Sequence, residues 1–180
     1  MRKWKANVFL FLLVGLIALG PHPYLQLRDF HRQVNIGAVP LHFTDRFQVE
    51  WVHSVELTPW RETYQVNAFS GMELAETSFR SYGAGVPAHF SEQAVRVSVE
   101  DGWITVSGLH QQRDKVLYLV TRDDYSLQVR EQRWNLASLI PLGTSLELSV
   151  EWYPWWYRFT DGLGEKGVTQ SFEHTNESAT

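Results

Sequence analysis

Alternation is the dominant pattern along this chain. Phe47, Val49, Trp51, His53 and Val55 share one parity, and Gln48, Glu50, Ser54 and Glu56 take the other, with Val52 the exception. Period-two patterning of this kind marks a strand with one buried face. Glu62, Tyr64, Val66 and Ala68 alternate with Thr63, Gln65 and Asn67 in a second such strand. Leu57-Thr58-Pro59-Trp60 lies between them and supplies the turn, with proline where no ladder N–H is needed. A hairpin centred between Leu57 and Thr58 pairs Val49 with Val66, Trp51 with Tyr64, and His53 with Glu62. A one-residue slip would set the apolar positions against the polar ones, so the pattern argues for this register. It places a histidine beside a glutamate on an apolar face, near the loop end.

Further along, Met72 and Leu74 share a face with Glu76, Ser78 and Arg80, whereas Ala75 and Phe79 take the other. The switch predicts a bulge or an edge strand. Gly83-Ala84-Gly85-Val86-Pro87 then breaks the pattern. Its glycines allow positive φ, and the segment reads either as a tight corner or as a small anion-binding concavity of backbone N–H groups. Val95, Val97 and Val99 alternate up to Asp101-Gly102, and Ile104 and Val106 follow on the inner parity. That is a type I′ hairpin pairing Val99 with Ile104 and Val97 with Val106. Residues 115–122 (KVLYLVTR) are apolar on both parities and predict a central strand covered on both sides. Tyr125, Leu127 and Val129 form another alternating strand, and Leu136, Leu139 and Ile140 are spaced as a short helix ended by Pro141. Leu146, Leu148, Val150 and Trp152 mark a last strand. With roughly seven to nine short strands and little helix, the fold class is all-β, an antiparallel sandwich or a small barrel.

The N-terminus departs from this pattern. Arg2, Lys3 and Lys5 precede an apolar run over residues 8–19. Such a segment is a cleaved signal peptide or an uncleaved anchor. Pro21 follows the small residues that a peptidase would need, which favours the anchor. Trp4 and Tyr24 would lie about 30 Å apart on a helix, the thickness of the hydrocarbon core, with the basic residues inside. The expected organisation is a transmembrane helix over 1–24, a linker over 25–40, an extracytoplasmic β-domain over 41–159, and a flexible tail over 160–180. The chain is then a single-pass protein of the cytoplasmic membrane, with its C-terminal domain in the periplasm. The aromatic cluster 152–157 reads as a core plug, an interfacial belt or a partner contact through Trp152, Trp155 and Trp156.

Composition narrows the chemistry. The 180 residues are 44% apolar, with eight Trp and ten Phe, enough for one sizeable core. The net charge of −4 and the lack of basic runs argue against a nucleic-acid partner. Without cysteine there is no thiol nucleophile, thiolate site or disulfide framework. The seven His are scattered, without metal-ligand spacing, so no metal or cofactor is expected. His53 and Glu62 are open to three readings: a buried polar pair that pins the hairpin, a ligand contact, or a general-base dyad. Ser54 lies on the opposite parity, and no G-x-S-x-G elbow is present, so a hydrolase triad is disfavoured. Arg80 is placed to meet Glu62 or an anionic ligand beside Gly83 and Gly85.

The segments WVHSVELTPWRETY (residues 51–64) and FRSYGAGVP (residues 79–87) resemble a bacterial family known as domain of unknown function 1850. Its members carry a similar H-S-V-E-x-x-P-W-x-E-x-Y segment and a later S-x-G-A-G-x-P. The resemblance implies a membrane-anchored accessory component of a TAXI-type tripartite ATP-independent periplasmic (TRAP) transporter, beside which such proteins are often encoded. The implied partners are the transporter's membrane subunits and its solute-binding protein, and the implied solutes are small carboxylates such as glutamate or 2-oxoglutarate. No enzymatic activity is implied. A second expectation is a ligand-binding β-domain in which His53, Glu62, Arg80, Gly83 and Gly85 line a carboxylate pocket.

Overall fold

The computed structural model describes residues 20–67, 71–81 and 95–154, together with the isolated Asn7 and Gly15. Among these residues eleven strands follow one another: β1 Pro21–Asp29, β2 Val34–Pro40, β3 Arg46–Val52, β4 Pro59–Asn67, β5 Gly71–Phe79, β6 Arg96–Glu100, β7 Trp103–Arg113, β8 Lys115–Val120, β9 Ser126–Val129, β10 Gln132–Asn135 and β11 Thr144–Pro154. A 3₁₀ turn, Leu136–Ser138, precedes β11, and the Asn135 side chain caps it by accepting the Ala137 N–H. The strands form two antiparallel sheets, one ordered β2-β1-β11-β8 and one ordered β10-β9-β3-β4-β5-β7-β6. The all-β expectation holds, and the architecture is a sandwich of two sheets.

The core lies between the inner faces, where alternate residues of each strand meet. Leu25, Leu27, Val120, Leu146 and Leu148 come from the four-stranded sheet, and Phe47, Val49, Val66, Met72, Phe79, Val106 and Leu127 from the seven-stranded one. In β11, Leu146 and Leu148 point inward while Glu147 and Ser149 take the other face, as the alternation requires. That strand sits between β1 and β8, so its inward residues are fully enclosed.

Residues 25–40, expected as a linker, form a hairpin together with residues 21–24. They make β1 and β2, and β1 pairs along its whole length with β11, Leu27 opposite Leu148. The stretch escapes periodicity because β1 is buried on both faces from Pro23 to Leu27, and two-sided burial removes the polar-apolar alternation. Tyr24, on the outward parity, packs edge-on against Tyr153 at 5.9 Å, and Gln26 donates through Nε2 to the Gly37 carbonyl at 3.2 Å and to Asn35. Tyr24 is therefore a strand residue and not the outer end of a membrane helix. The rest of the expected anchor lies almost wholly outside the described residues, as does the tail 160–180. Among the described residues no helix is long and apolar enough to cross a membrane.

Two further strands differ from expectation. β8 is not central but an edge strand of the four-stranded sheet, and its outward Leu117 and Leu119 are 49% and 53% exposed. The 95–106 hairpin has the expected register, Val99 opposite Ile104 and Val97 opposite Val106, with Asp101 and Gly102 at positive φ (50° and 76°). Yet β6 lies at the end of the wider sheet, and Val97 and Val99 remain exposed although their partners are buried. β5 carries the expected irregularity, a register shift between Leu74 and Glu76 against β7, but it is an interior strand.

The β3–β4 hairpin has a different register from the one the alternation suggests. Val49 stands opposite Glu62, and Trp51 opposite Trp60. His53 and Val55, which extend the alternation in the sequence, belong to the loop. The loop is closed by His53 N–H to the Thr58 carbonyl and Leu57 N–H to the His53 carbonyl, each 2.9 Å, with Leu57 at φ 52°. The offset between the two registers is even, so every side chain keeps its face while every partner changes.

Candidate functional site

Three oxygens meet between the sheets. Glu62 and Tyr64 lie on the inward face of β4, and Tyr118 faces them from β8 in the opposite sheet. Glu62 Oε2 accepts from the Tyr118 hydroxyl at 2.5 Å and from the Tyr64 hydroxyl at 2.7 Å. The two phenol oxygens are themselves 2.9 Å apart. Hydrogen bonds to a charged acceptor are the stronger kind, and here they tie one sheet to the other.

Packing fixes the two rings. Tyr64 stacks on Phe47 at 5.1 Å and 15°. Tyr118 packs against Trp51 at 5.4 Å and 60°, and Trp51 in turn stacks on Tyr125 at 6.1 Å and 11°. Burial, and then the adjacent Glu62 charge, push both the Tyr64 and the Tyr118 phenols well above their ordinary value. Both therefore stay neutral donors at any physiological pH. Burial likewise raises Tyr125, helped by Asp124.

This cluster floors an open cleft of about 630 Å³, within the range typical of small-ligand sites. Trp51, Tyr125 and Val116 supply apolar wall, and Ser54 and Thr121 supply hydroxyls. Arg113, which ends β7, and Lys115, which opens β8, bring two cations to the same lining. Lys115 is held by Glu147 at 2.8 Å and lies 5.5 Å from the centre of the Phe30 ring. Arg113 bonds to the Gln111 side chain at 2.8 Å and to the Gln112 carbonyl at 3.3 Å. Among the described residues no carboxylate pairs with Arg113. Nor does Glu62 Oε1 carry a hydrogen bond from any of them.

Of the residues singled out in the sequence, Glu62 lines this cleft, and His53 and Arg80 do not. His53 follows the end of β3, packs against Trp60 at 5.3 Å with the rings tilted by 32°, and accepts the Glu56 N–H on Nδ1 at 3.4 Å. Arg80 is exposed just beyond β5, with its guanidinium 5.0 Å from the Trp103 ring, over which Arg61 also lies at 4.4 Å. Arg61 sits on the outward face of the seven-stranded sheet, bonded to Glu50, so this group is turned away from Glu62. Gly83 and Gly85 lie outside the described residues. Trp152 is on β11, its ring 5.5 Å from that of Phe43, and Trp155 and Trp156 lie outside the described residues. Among the described residues no group of three His, Asp or Glu side chains could hold a metal ion.

Tyr118, Arg113 and Lys115 are not among the residues that sequence reasoning singles out. The inward parity of Tyr118 in an apolar strand is the available signal, but a cross-sheet meeting of residues 64 and 118 leaves no local trace. The assembled site brings a carboxylate, a guanidinium without a carboxylate partner among the described residues, and aromatic wall to an open cleft, with two buried neutral phenols behind the carboxylate.

These features define an all-β sandwich domain with a polar cleft between its sheets. A family described as a domain of unknown function (DUF1850) matches residues 47–136, and the chain belongs to it. The matched span runs from the second residue of β3 through β10 and holds all of the cleft lining given above, including the whole Glu62–Tyr64–Tyr118 cluster. No curated protein and no solved structure matches the chain.

Proposed function

We propose that the chain is a non-enzymatic accessory subunit of a TAXI-type TRAP transporter. It is anchored in the cytoplasmic membrane by its N-terminal segment, with the β-sandwich in the periplasm, and it assists uptake of small carboxylate-bearing solutes. The observation that carries the reading is the position of the residues on which the family resemblance rests. Trp51, Ser54, Glu62 and Tyr64 of that segment line one solute-sized cleft. A purely structural signature would sit in the closed core. Trp60 and Tyr64 of the segment do belong to the core, but Ser54 and Glu62 offer hydrogen-bonding groups to a space that a small molecule can enter. The family resemblance supports the transporter assignment, and the cleft supports the solute contact.

Purification of the tagged full-length chain in mild detergent tests the first part. Co-elution of the transporter's membrane subunits is the expected outcome, and elution of the chain alone contradicts it. The alternative is a ligand-binding β-domain that works without a membrane partner, favoured by the same cleft. It predicts solute binding by the chain alone and no co-elution.

A further inference from the structure

The charges around the cleft specify more than a carboxylate. A site built only for dicarboxylates should present cations or neutral donors at its floor. This floor presents Glu62, and the two nearest donors, Tyr64 and Tyr118, are already turned onto its Oε2. Their phenolic protons are thus committed to Glu62 and are not available to an anion. What remains for a ligand at the floor is an acceptor, Oε1, without a hydrogen bond from any described residue. A dianion driven to this depth would meet like charge, whereas an ammonium would meet a fixed carboxylate.

The mouth has the opposite sign. Arg113 lines the same cleft with no carboxylate partner among the described residues, and its positive charge reaches the Tyr64 phenol. A guanidinium of this kind suits a carboxylate through two parallel N–H donors. Lys115 also borders the cleft, but its ammonium is bonded to Glu147 on the outward face of the four-stranded sheet. Trp51 and Tyr125 line the same cleft and offer an apolar wall for a carbon skeleton.

We infer that the cleft selects small zwitterions of the amino-acid type, with the ammonium on Glu62 Oε1 and the carboxylate on Arg113. The inference rests on the proposal that the cleft takes a solute, and it narrows the solute class from carboxylates in general to those that also carry a cationic amine. Glu62 is then the discriminating residue. It accepts the amine and repels an acid that has none.

Isothermal titration of the full-length chain in detergent tests this with L-glutamate and L-alanine as zwitterions, succinate and 2-oxoglutarate as dianions, and ethanolamine as an amine without carboxylate. Binding of at least one zwitterion, at least tenfold tighter than either dianion or ethanolamine, is expected. The same preference should be lost in Glu62→Gln and weakened in Arg113→Gln. Arg113 is solvent-exposed, so its variant should fold even if the Glu62 variant does not. Dianion binding equal to or tighter than zwitterion binding overturns the zwitterion inference and leaves the solute cleft standing. Zwitterion binding unchanged in Arg113→Gln also overturns it. No heat with any of the five probes overturns both.

Discussion

Replacing Tyr118 by Phe removes one oxygen and leaves the ring. The ring keeps its contact with Trp51, so the loss falls on the hydroxyl. That hydroxyl makes a 2.5 Å bond to Glu62 and a 2.9 Å contact with Tyr64 across the two sheets. A hydrogen bond to a charged group contributes about 1.5–3 kcal/mol. Glu62 borders an open cleft, so water replaces part of the lost donor, which puts the expected cost near the lower bound, at about 1.5–2 kcal/mol. For a chain of this size each kcal/mol lowers Tm by about 2–4 °C, so a drop of about 3–8 °C is expected. Urea denaturation should show a lower midpoint with an unchanged m-value, because the surface exposed on unfolding is the same. Repeating the substitution in a Glu62→Gln background should recover about 1 kcal/mol or more as coupling energy. A single-variant effect below about 0.5 kcal/mol, the range of ordinary surface changes, would refute the cluster as a tie between the sheets.

Acid and alkaline stability test the electrostatics elsewhere. Burial opposes the charge on Glu50, but the hydrogen bonds from Arg61 and Arg133 outweigh it and hold the carboxyl below its ordinary 4.5. Its contribution is complete above that value and is lost as pH falls through the lowered folded value, because protonation then favours the unfolded chain. Glu50→Gln should therefore flatten the acid limb of a stability–pH curve, and an unchanged limb would contradict the ion-pair geometry. Tyr64 and Tyr118 behave in the reverse sense, since their folded values lie above the ordinary 10. Stability should fall as pH rises above that value, because only the unfolded chain can ionise them. An ultraviolet titration should show both phenols ionising only as the protein unfolds, and reversible ionisation in the folded state would contradict their burial. Gly102, at φ 76° in the β6–β7 turn, should cost about 1 kcal/mol as Gly102→Ala, because alanine disfavours that backbone region. An equal midpoint in denaturant would argue against the turn geometry.

Face assignments are legible in the sequence and partners are not, and β3–β4 shows why. Alternation fixes which side of the sheet a residue occupies, and it places Val49, Trp51, Glu62 and Tyr64 on the inward face, where the structure has them. A shift by an even number of residues preserves all of these faces, so the pattern has no power to choose between His53 and Val49 as the partner of Glu62. The choice is made by the loop, where Leu57 takes a positive φ and His53 closes the turn. The strands that the pattern misses or misplaces have opposite causes. β1 is buried on both faces, which removes its alternation, whereas β8 has one covered face but carries exposed leucines on the other, so it reads as covered on both sides. The site is half legible for a related reason. Glu62 is conspicuous as a charge on an inward parity, whereas Tyr118 passes as core until the opposite sheet brings its hydroxyl to that charge.

The central claim is that the space above Glu62, Tyr64 and Tyr118 receives a small solute. A crystal structure of the chain grown with saturating L-glutamate tests it most directly. The account predicts the solute in this cleft, with its ammonium on Glu62 Oε1 and a carboxylate on Arg113. An empty cleft at saturation, or a solute seated elsewhere on the sandwich, would contradict it.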